Sequence, residues 1–309
     1  MKKVFLALTF VLALSLYGCS EPETGFDTEA DINPYTRDTS SGTRDGFMSG
    51  IGFSDAATDN SLLGENVTVS AGNDEVLQSV NTDRFGIGYI SLYSVNDDIK
   101  PVKFEGVDPE IENVVDESYA LTRPFNYITR LEDDYANDTE KQIAEAFVAF
   151  MLSSEGADII NDNGAVAVSN NGYWDDISAD HPVCDQDNSG ETINFGGSNS
   201  VEGIAKDLAT AFSSRCGDVQ TVNNHTGSSD GFKRTQGDEK DGTNMAHVGF
   251  ASRPFKEDEK VNGEAYYGTL AQDAIVIVVN NENPLDDIDA DTLKKLYQGE
   301  YSTWADILD

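Results

Sequence analysis

Three short stretches hold the residues best able to do chemistry, and they share one make-up. "RDTSSGTRDGF", Arg37 to Phe47, packs an arginine, four hydroxyl residues and a glycine ahead of a helical pattern. "FGGSNSVEGIAKDL" sets Gly197, Ser198, Asn199 and Ser200 before a second apolar helical face. "HTGSSDGFKR" repeats the theme with Gly227, Ser228 and Ser229. A helix N-terminus leaves backbone N–H groups unpaired and carries about half a positive charge. Glycine permits close approach, and serine or threonine hydroxyls add donors. Such a turn can hold a tetrahedral oxyanion with little formal charge. One of them alone is an ordinary helix cap; three beside an arginine point to an anion clamp.

Other chemistries find less support. None of the three stretches has the Walker spacing with its terminal Lys-Ser/Thr, which speaks against an NTPase. His181, His225 and His247 lie in separate segments, without metal-ligand spacing or a Ser–His–Asp context. No catalytic residue, metal or cofactor is expected. "DQDNSGE", Asp185 to Glu191, alternates oxygen-bearing residues like a calcium loop, but Gly196 stands where the closing glutamate would be. It reads as solvated linker.

The elements that must position these residues are α/β in pattern. "FGIGYISLY", Phe85 to Tyr93, and "AIVIVVN", Ala274 to Asn280, read as buried strands. "EKQIAEAFVAFMLSSEGADII" reads as one helix, with Ile143, Phe147, Phe150 and Met151 on one face. "SVEGIAKDLATAFSS" aligns Val201, Ile204, Ala205, Leu208 and Phe212. "DADTLKKLYQG" begins with aspartates and stops at Gly299, as a capped helix should. Between them, residues 178–192 are polar and rich in turn formers, and read as a surface linker.

The 309 residues carry 56 acidic and 20 basic side chains, a net charge of −36. That excludes phosphate-backbone contact with nucleic acid and docking on anionic lipid through a basic patch. The chain opens "MKKVFLALTFVLALSLYGCS": two lysines, an apolar run too short to span a membrane, then Gly18-Cys19. This reads as a lipoprotein signal over residues 1–18, with Cys19 as the lipidated N-terminus. Loss of Lys2 and Lys3 would take the charge from −36 to −38. Residues 19–30 read as a flexible acidic tether. Cys184 and Cys216 remain, either as one disulfide or as two thiols.

Taken together, these segments resemble the phosphate-binding proteins that serve bacterial ABC phosphate importers. "RDTSSGTRDGF" is similar to that family's phosphate loop, and "INFGGSNSVEGIAKDLATAF" to its first strand, loop and helix. "HTGSSDGFKR" and "AHVGFASRPFKEDE" are similar to the next two loops. "AIVIVVNNENPLDDIDADTLKKLYQGEYSTWADI" resembles the strand that crosses the hinge and the helix beyond it. "AGNDEVLQSV", "FGIGYISL" and "ALTRPFNYI" resemble the second lobe and the return crossing.

The resemblance implies a two-lobed periplasmic-binding-protein-like (type II) fold with ligand held between the lobes. It assigns phosphate contacts to Arg37, Ser41, Gly42, Thr43, Asn199, Ser200, Ser228 and Ser252. It adds Ser229 and Asn73 as cleft-lining positions, with Arg44 as an outer or lobe-bridging residue and Arg253 turned toward the ligand or into an outward salt bridge. Ser252 falls where some members carry an aspartate that accepts the proton of hydrogen phosphate.

The order of the segments departs from the family. The family's last helix, like Glu140 to Ile160, here precedes its first strand, and the chain ends where the family would continue into the arginine loop. This is the pattern of a circular permutation; a fragment of a tandem array is the rival reading. Under permutation, one lobe spans 121–280 and the other joins 31–120 to 281–309. The implied function is capture of inorganic phosphate by a monomeric lipoprotein anchored at the cell envelope, for delivery to an ABC permease. A receptor for sulfate, molybdate or arsenate, a surface sensor without a transport role, and a phosphatase-like enzyme are the alternatives.

Overall fold

The computed structural model describes residues 25–259 and 267–308; the signal segment and Cys19 lie outside them. The chain opens with β1 (Asn33–Arg37), α1 (Gly42–Gly50), β2 (Thr68–Ser70), α2 (Asn73–Thr82), β3 (Gly86–Ser91), β4 (Ile99–Phe104) and α3 (Ile111–Val115). Next come β5 (Thr122–Thr129), α4 (Asp138–Met151), α5 (Ser154–Asp162), β6 (Val166–Ala167) and α6 (Trp174–Ile177). The remainder runs β7 (Thr192–Gly197), α7 (Glu202–Ser213), β8 (Gln220–His225), α8 (Ser228–Lys233), β9 (Val248–Ala251), β10 (Tyr267–Asn280), β11 (Asp287–Ile288), α9 (Ala290–Gln298) and α10 (Ala305–Leu308).

β10 organises the molecule. Its front half pairs antiparallel with β5, Tyr267 opposite Ile128 and Ala274 opposite Thr122. Its back half pairs with β3 and β4, Ile275 opposite Ser91 and Ile277 opposite Val102. One strand thus serves two sheets, ordered β2-β1-β3-β10-β4 and β10-β5-β9-β7-β8. Its unbroken apolar run, Ala274 to Val279, is buried on both faces, as a central strand requires.

Each sheet has its own core. Phe47, Tyr89, Val276, Leu296 and Trp304 belong to one; Phe125, Phe147, Phe195, Phe212 and Phe250 belong to the other. The changeover falls between Leu121 and Phe125 on β5 and between Ala271 and Ala274 on β10. The helices supply the second layer. Phe147 of α4 lies 4.5 Å from Phe195 and 5.4 Å from Phe212, ring centre to ring centre. Burying each such ring stabilises the fold by roughly 1.5–3 kcal/mol.

Three expectations need correction. The single helix over Glu140–Ile160 is two helices, because the Ser153 hydroxyl donates to the Phe150 carbonyl (2.7 Å) and accepts from Gly156 N–H (3.2 Å), ending one and capping the next. The tether is not free through residue 30. Phe26 packs on Phe85 and Trp304, and the Thr28 and Ala30 carbonyls accept from Ala305 and Trp304. The 178–192 linker is partly internal. Cys184 and Cys216 form a disulfide, and Val183 and Asn188 are buried beside it. Closing a 32-residue span this way is worth roughly 3–4 kcal/mol by chain entropy.

Candidate functional site

The three donor stretches converge where the two sheets share β10. α1 starts right after β1 because the Ser41 hydroxyl caps it, accepting from Thr43 N–H (3.2 Å) and Arg44 N–H (3.4 Å). Arg37 ends β1 and is 1% exposed. Its fork donates to Asn73 Oδ1 (2.6 Å), Thr43 Oγ1 (3.4 Å), the Ala71 carbonyl (3.0 Å) and Asn199 Oδ1 (3.4 Å). All four acceptors are neutral. Its Nε has no partner among the described residues. Burial lowers its pKa to about 10, so the guanidinium stays charged without a carboxylate on it.

Opposite stands the floor of the second sheet. Ser198 ends the β7 turn, Ser228 opens α8 and Ser252 follows β9. Ser198 Oγ donates to Ser252 Oγ (2.9 Å), and Ser252 N–H donates to Ser228 Oγ (3.0 Å). Gly42 approaches these serines so closely that a Cβ there would stand 2.5 Å from Ser228 Oγ and 2.9 Å from the Ser252 backbone. Thr43 and Ser200 share a hydrogen bond of 3.0 Å, and Asn73 Nδ2 donates to Ser200 Oγ (3.3 Å). The two sides therefore meet through side-chain donors that could be exchanged, one for one, onto a shared anion.

Among the expected residues, Arg37, Gly42, Thr43, Asn73, Asn199, Ser200, Ser228 and Ser252 come together. Ser41 lies with them, its oxygen committed to the cap. Arg44 turns away and bridges no lobes: it donates to the Ala56 and Arg37 carbonyls and to Asn60, fixing the arginine loop from behind. Arg253 takes the outward option, a two-pronged pair with Glu259 at 2.6 and 2.7 Å. Ser229 accepts from that arginine at 3.1 Å.

The sequence reading missed Arg123 and Asp273; Ser198, named in the second donor stretch, was not among the expected phosphate contacts. Arg123 sits at the start of β5 and Asp273 in β10, both fully inside. Arg123 donates to Asp273 through Nε (3.0 Å) and Nη2 (2.8 Å), and to Ser252 Oγ through Nη1 (3.3 Å). Ser91 donates to both Asp273 oxygens at 2.9 Å. Burial pushes the carboxyl up, and Arg123 and Ser91 hold it back. A lone acid in the apolar run TLAQDAIVIVVN was the available signal, since such charges are almost never fully buried unpaired. His225 backs the Ser198 turn, its Nδ1 3.1 Å from the Ser198 carbonyl; burial lowers its pKa to about 4, keeping it neutral. Among the described residues, no cluster of His, Cys, Asp and Glu could hold a metal ion, and no helix is long and apolar enough to cross a membrane.

Two sheets sharing a crossing strand, with a donor-lined cleft at the crossing, define a two-lobed periplasmic-binding-protein fold of the type II arrangement. Residues 184–309 match the family model described as a PBP superfamily domain. The whole chain is similar to phosphate-binding protein PstS 2 of Streptococcus agalactiae, 27% identical over 94% of this chain and 92% of the relative. The namesake from Streptococcus pneumoniae is 26% identical over 98% and 97%. A crystal structure of a phosphate ABC transporter's phosphate-binding protein from S. pneumoniae superposes with a TM-score of 0.63, at 25% identity, over 90% of this chain and 100% of that one. The chain is PstS-like in sequence and in fold.

Proposed function

We propose that this protein captures inorganic phosphate between its lobes and passes it to an ABC permease, making and breaking no bond. The observation that carries the reading is Arg37: a buried guanidinium held by neutral acceptors, beside the Thr43 hydroxyl of its own lobe and facing Asn199 and Ser200 from the opposite lobe. Phosphate would take its bonds from Arg37, Thr43, Asn199, Ser200, Ser228 and Ser252. The similarity to PstS 2 proteins supports phosphate over other oxyanions. The net charge of −36 does not oppose this, because short desolvated bonds act within the cleft and distant charges are screened beyond about 8 Å. Calorimetric titration with phosphate, sulfate, arsenate and molybdate tests it. Phosphate binding at micromolar levels is expected, and its absence would sink the proposal.

We further read the chain as a circular permutant, one lobe running from Phe125 to Ala271 and the other joining 31–121 to 274–308; the expected boundary at 280 moves because Ala274 to Val279 pack in the core of the second of these lobes. Three observations support this. Ile32 N–H donates to the Ser302 carbonyl at 2.8 Å and Asp31 pairs with Thr303, so the described chain ends lie side by side. The superfamily match begins at residue 184, in mid-chain, and the permuted order is one the PstS 2 relatives share, since they align with this chain along 92% and 97% of their length. The disulfide pins that same junction. A relinked chain, opened within 178–192 and joined through its present ends, should fold and bind; failure would count against the reading. Lipid attachment at Cys19, monomeric state and envelope localisation complete the proposal. Mass spectrometry of the exported N-terminus tests the first.

Lobe closure yields a prediction at Gly42. Gly42→Ala is expected to weaken phosphate binding at least about tenfold, because the new methyl must push the Ser252 backbone away. Thermal stability should change little, since the strain falls between lobes. Calorimetry with small-angle scattering, which should show a wider molecule, is the check.

A further inference from the structure

At the rim of the cleft one aromatic side chain crosses between the lobes. β3 runs into a 3₁₀ turn, Leu92–Ser94, and the turn is tied on both sides. Before it, the Ser91 hydroxyl donates to Asp273. At its close, Val95 N–H donates to the Leu92 carbonyl (3.1 Å), and Ser94 Oγ accepts from Asn73 Nδ2 (3.3 Å). Tyr93, held between these ties, lies on Gly203 in the first turn of α7. A Cβ on Gly203 would stand 2.0 Å from the Tyr93 hydroxyl oxygen and 2.2 Å from the ring carbon that bears it. The backbone of the same turn comes up to Gly164, just after α5, where a Cβ would lie 3.7 Å from Tyr93 Cα. Glycine inside a helix costs stability relative to alanine, and at Gly203 the ring occupies the space that is left.

Tyr93 is 40% exposed, so one side of the ring meets water. Its hydroxyl makes no hydrogen bond with the described residues. A cavity of about 270 Å³ lies beside it, lined also by Asn73, Ser94, Asn199, Gly203 and Lys206. Asn73 and Asn199 are the amides that hold Arg37, at 2.6 and 3.4 Å. The cavity thus joins the anion site to the rim, and the Tyr93–Gly203 contact bounds it. We infer that Tyr93 is a positioning residue: seated on Gly203, it holds the lobes together at the rim and so sets how long a captured phosphate stays. A contact made only when the lobes meet stabilises the closed state and leaves the open state alone. Its loss therefore shows in release and not in entry, where most affinity differences between related complexes lie. This rests on the phosphate-capture reading above and adds to it a residue outside the donor set.

The experiment measures release and entry separately in the full mature protein. Bound radiolabelled inorganic phosphate is chased with excess unlabelled phosphate to give the release rate. Calorimetry gives Kd, and the ratio of the two gives the entry rate. Tyr93→Ala should release phosphate at least about tenfold faster, with entry changed by less than about threefold. Tyr93→Phe should stay within about threefold of the original, because the ring makes the contact and the hydroxyl has no hydrogen-bond partner to lose. Gly203→Ala should also speed release at least about tenfold, because its methyl must evict the ring. Its thermal stability should hold or rise, since alanine favours the helix. With Tyr93→Ala already present, Gly203→Ala should add nothing further. The three atoms nearest the new methyl all belong to Tyr93, so the two changes share one contact.

Four results would each overturn the inference while leaving phosphate capture standing: release unchanged in Tyr93→Ala, entry speeded as much as release, Tyr93→Phe releasing as fast as Tyr93→Ala, or a Gly203→Ala effect that persists at full size beside Tyr93→Ala. If the unaltered protein binds no phosphate, the functional reading falls, and small-angle scattering decides the contact by itself. Gly203→Ala should then widen the original protein and add no width to Tyr93→Ala; no widening would overturn the inference as well.

Discussion

Arg37→Ala is expected to lose at least about a hundredfold in phosphate affinity while the protein stays folded. A truncated charge partner in a buried, hydrogen-bonded contact costs about 2–5 kcal/mol, much of it from what is left unpaired. The side chain is 1% exposed and faces the cleft with no carboxylate matched to its guanidinium among the described residues. Stability should hold or rise slightly, because the substitution removes a charge kept out of water without an opposite charge. Arg37→Lys should fall between, since an ammonium cannot reproduce the fork that reaches Asn73, Thr43, Ala71 and Asn199 at once. Calorimetry alongside thermal unfolding separates the two effects. An Arg37→Ala protein that binds phosphate within about threefold of the original would remove Arg37 from the site.

Asp273→Ala should have the largest effect on stability. It leaves the Arg123 guanidinium fully buried with no opposite charge, and strips two acceptor oxygens from Ser91. Breaking one side of a buried pair typically costs about 3–5 kcal/mol. Because Arg123 and Asp273 stand where both crossing strands change sheets, the loss should also loosen Ser252 and hence binding. Urea unfolding is the measurement, with the midpoint lowered and the slope unchanged. A midpoint within error of the original protein would show that the pair contributes little. Arg123→Met combined with Asp273→Leu should recover much of the stability, since apolar replacement of both partners is often neutral.

Much of the site could be read from residue types because its chemistry is local. A hydroxyl or glycine ahead of an apolar helical face binds the same groups wherever it is found, and Arg37, Thr43, Ser200 and Ser228 carry that signature. The capped helix Ala290–Gln298 was legible for the same reason: Asp289 and Gly299 declare its ends, and Gly299 takes the left-handed conformation at φ 78°. Arg123 and Asp273 were harder because their meaning depends on pairing across 150 positions, which no local pattern announces. The break at Ser153 was missed because the apolar spacing continues through it; only the hydroxyl's two backbone bonds end the helix. The crossing role of Ala274 to Asn280 followed from segment resemblance, whereas the point on β10 where its pairing passes from β5 to β3 needed the strand register.

The pairing of Thr28–Ile32 with Ser302–Ala305 has a consequence for the order of events as the protein acquires its shape. Joining Ile32 to Ser302 closes nearly the entire chain into one loop, at an entropic cost of about 5 kcal/mol. The core around Phe147 and Phe212 needs no such closure, being drawn wholly from the interior of the sequence. The lobe that bears Arg37 must therefore wait for the last residues, Leu293, Leu296 and Trp304, to arrive. The interior lobe can be complete before them and present the first half of β10 as a finished edge. A chain emerging N-terminus first thus makes its arginine loop early and gives that loop a rigid setting last.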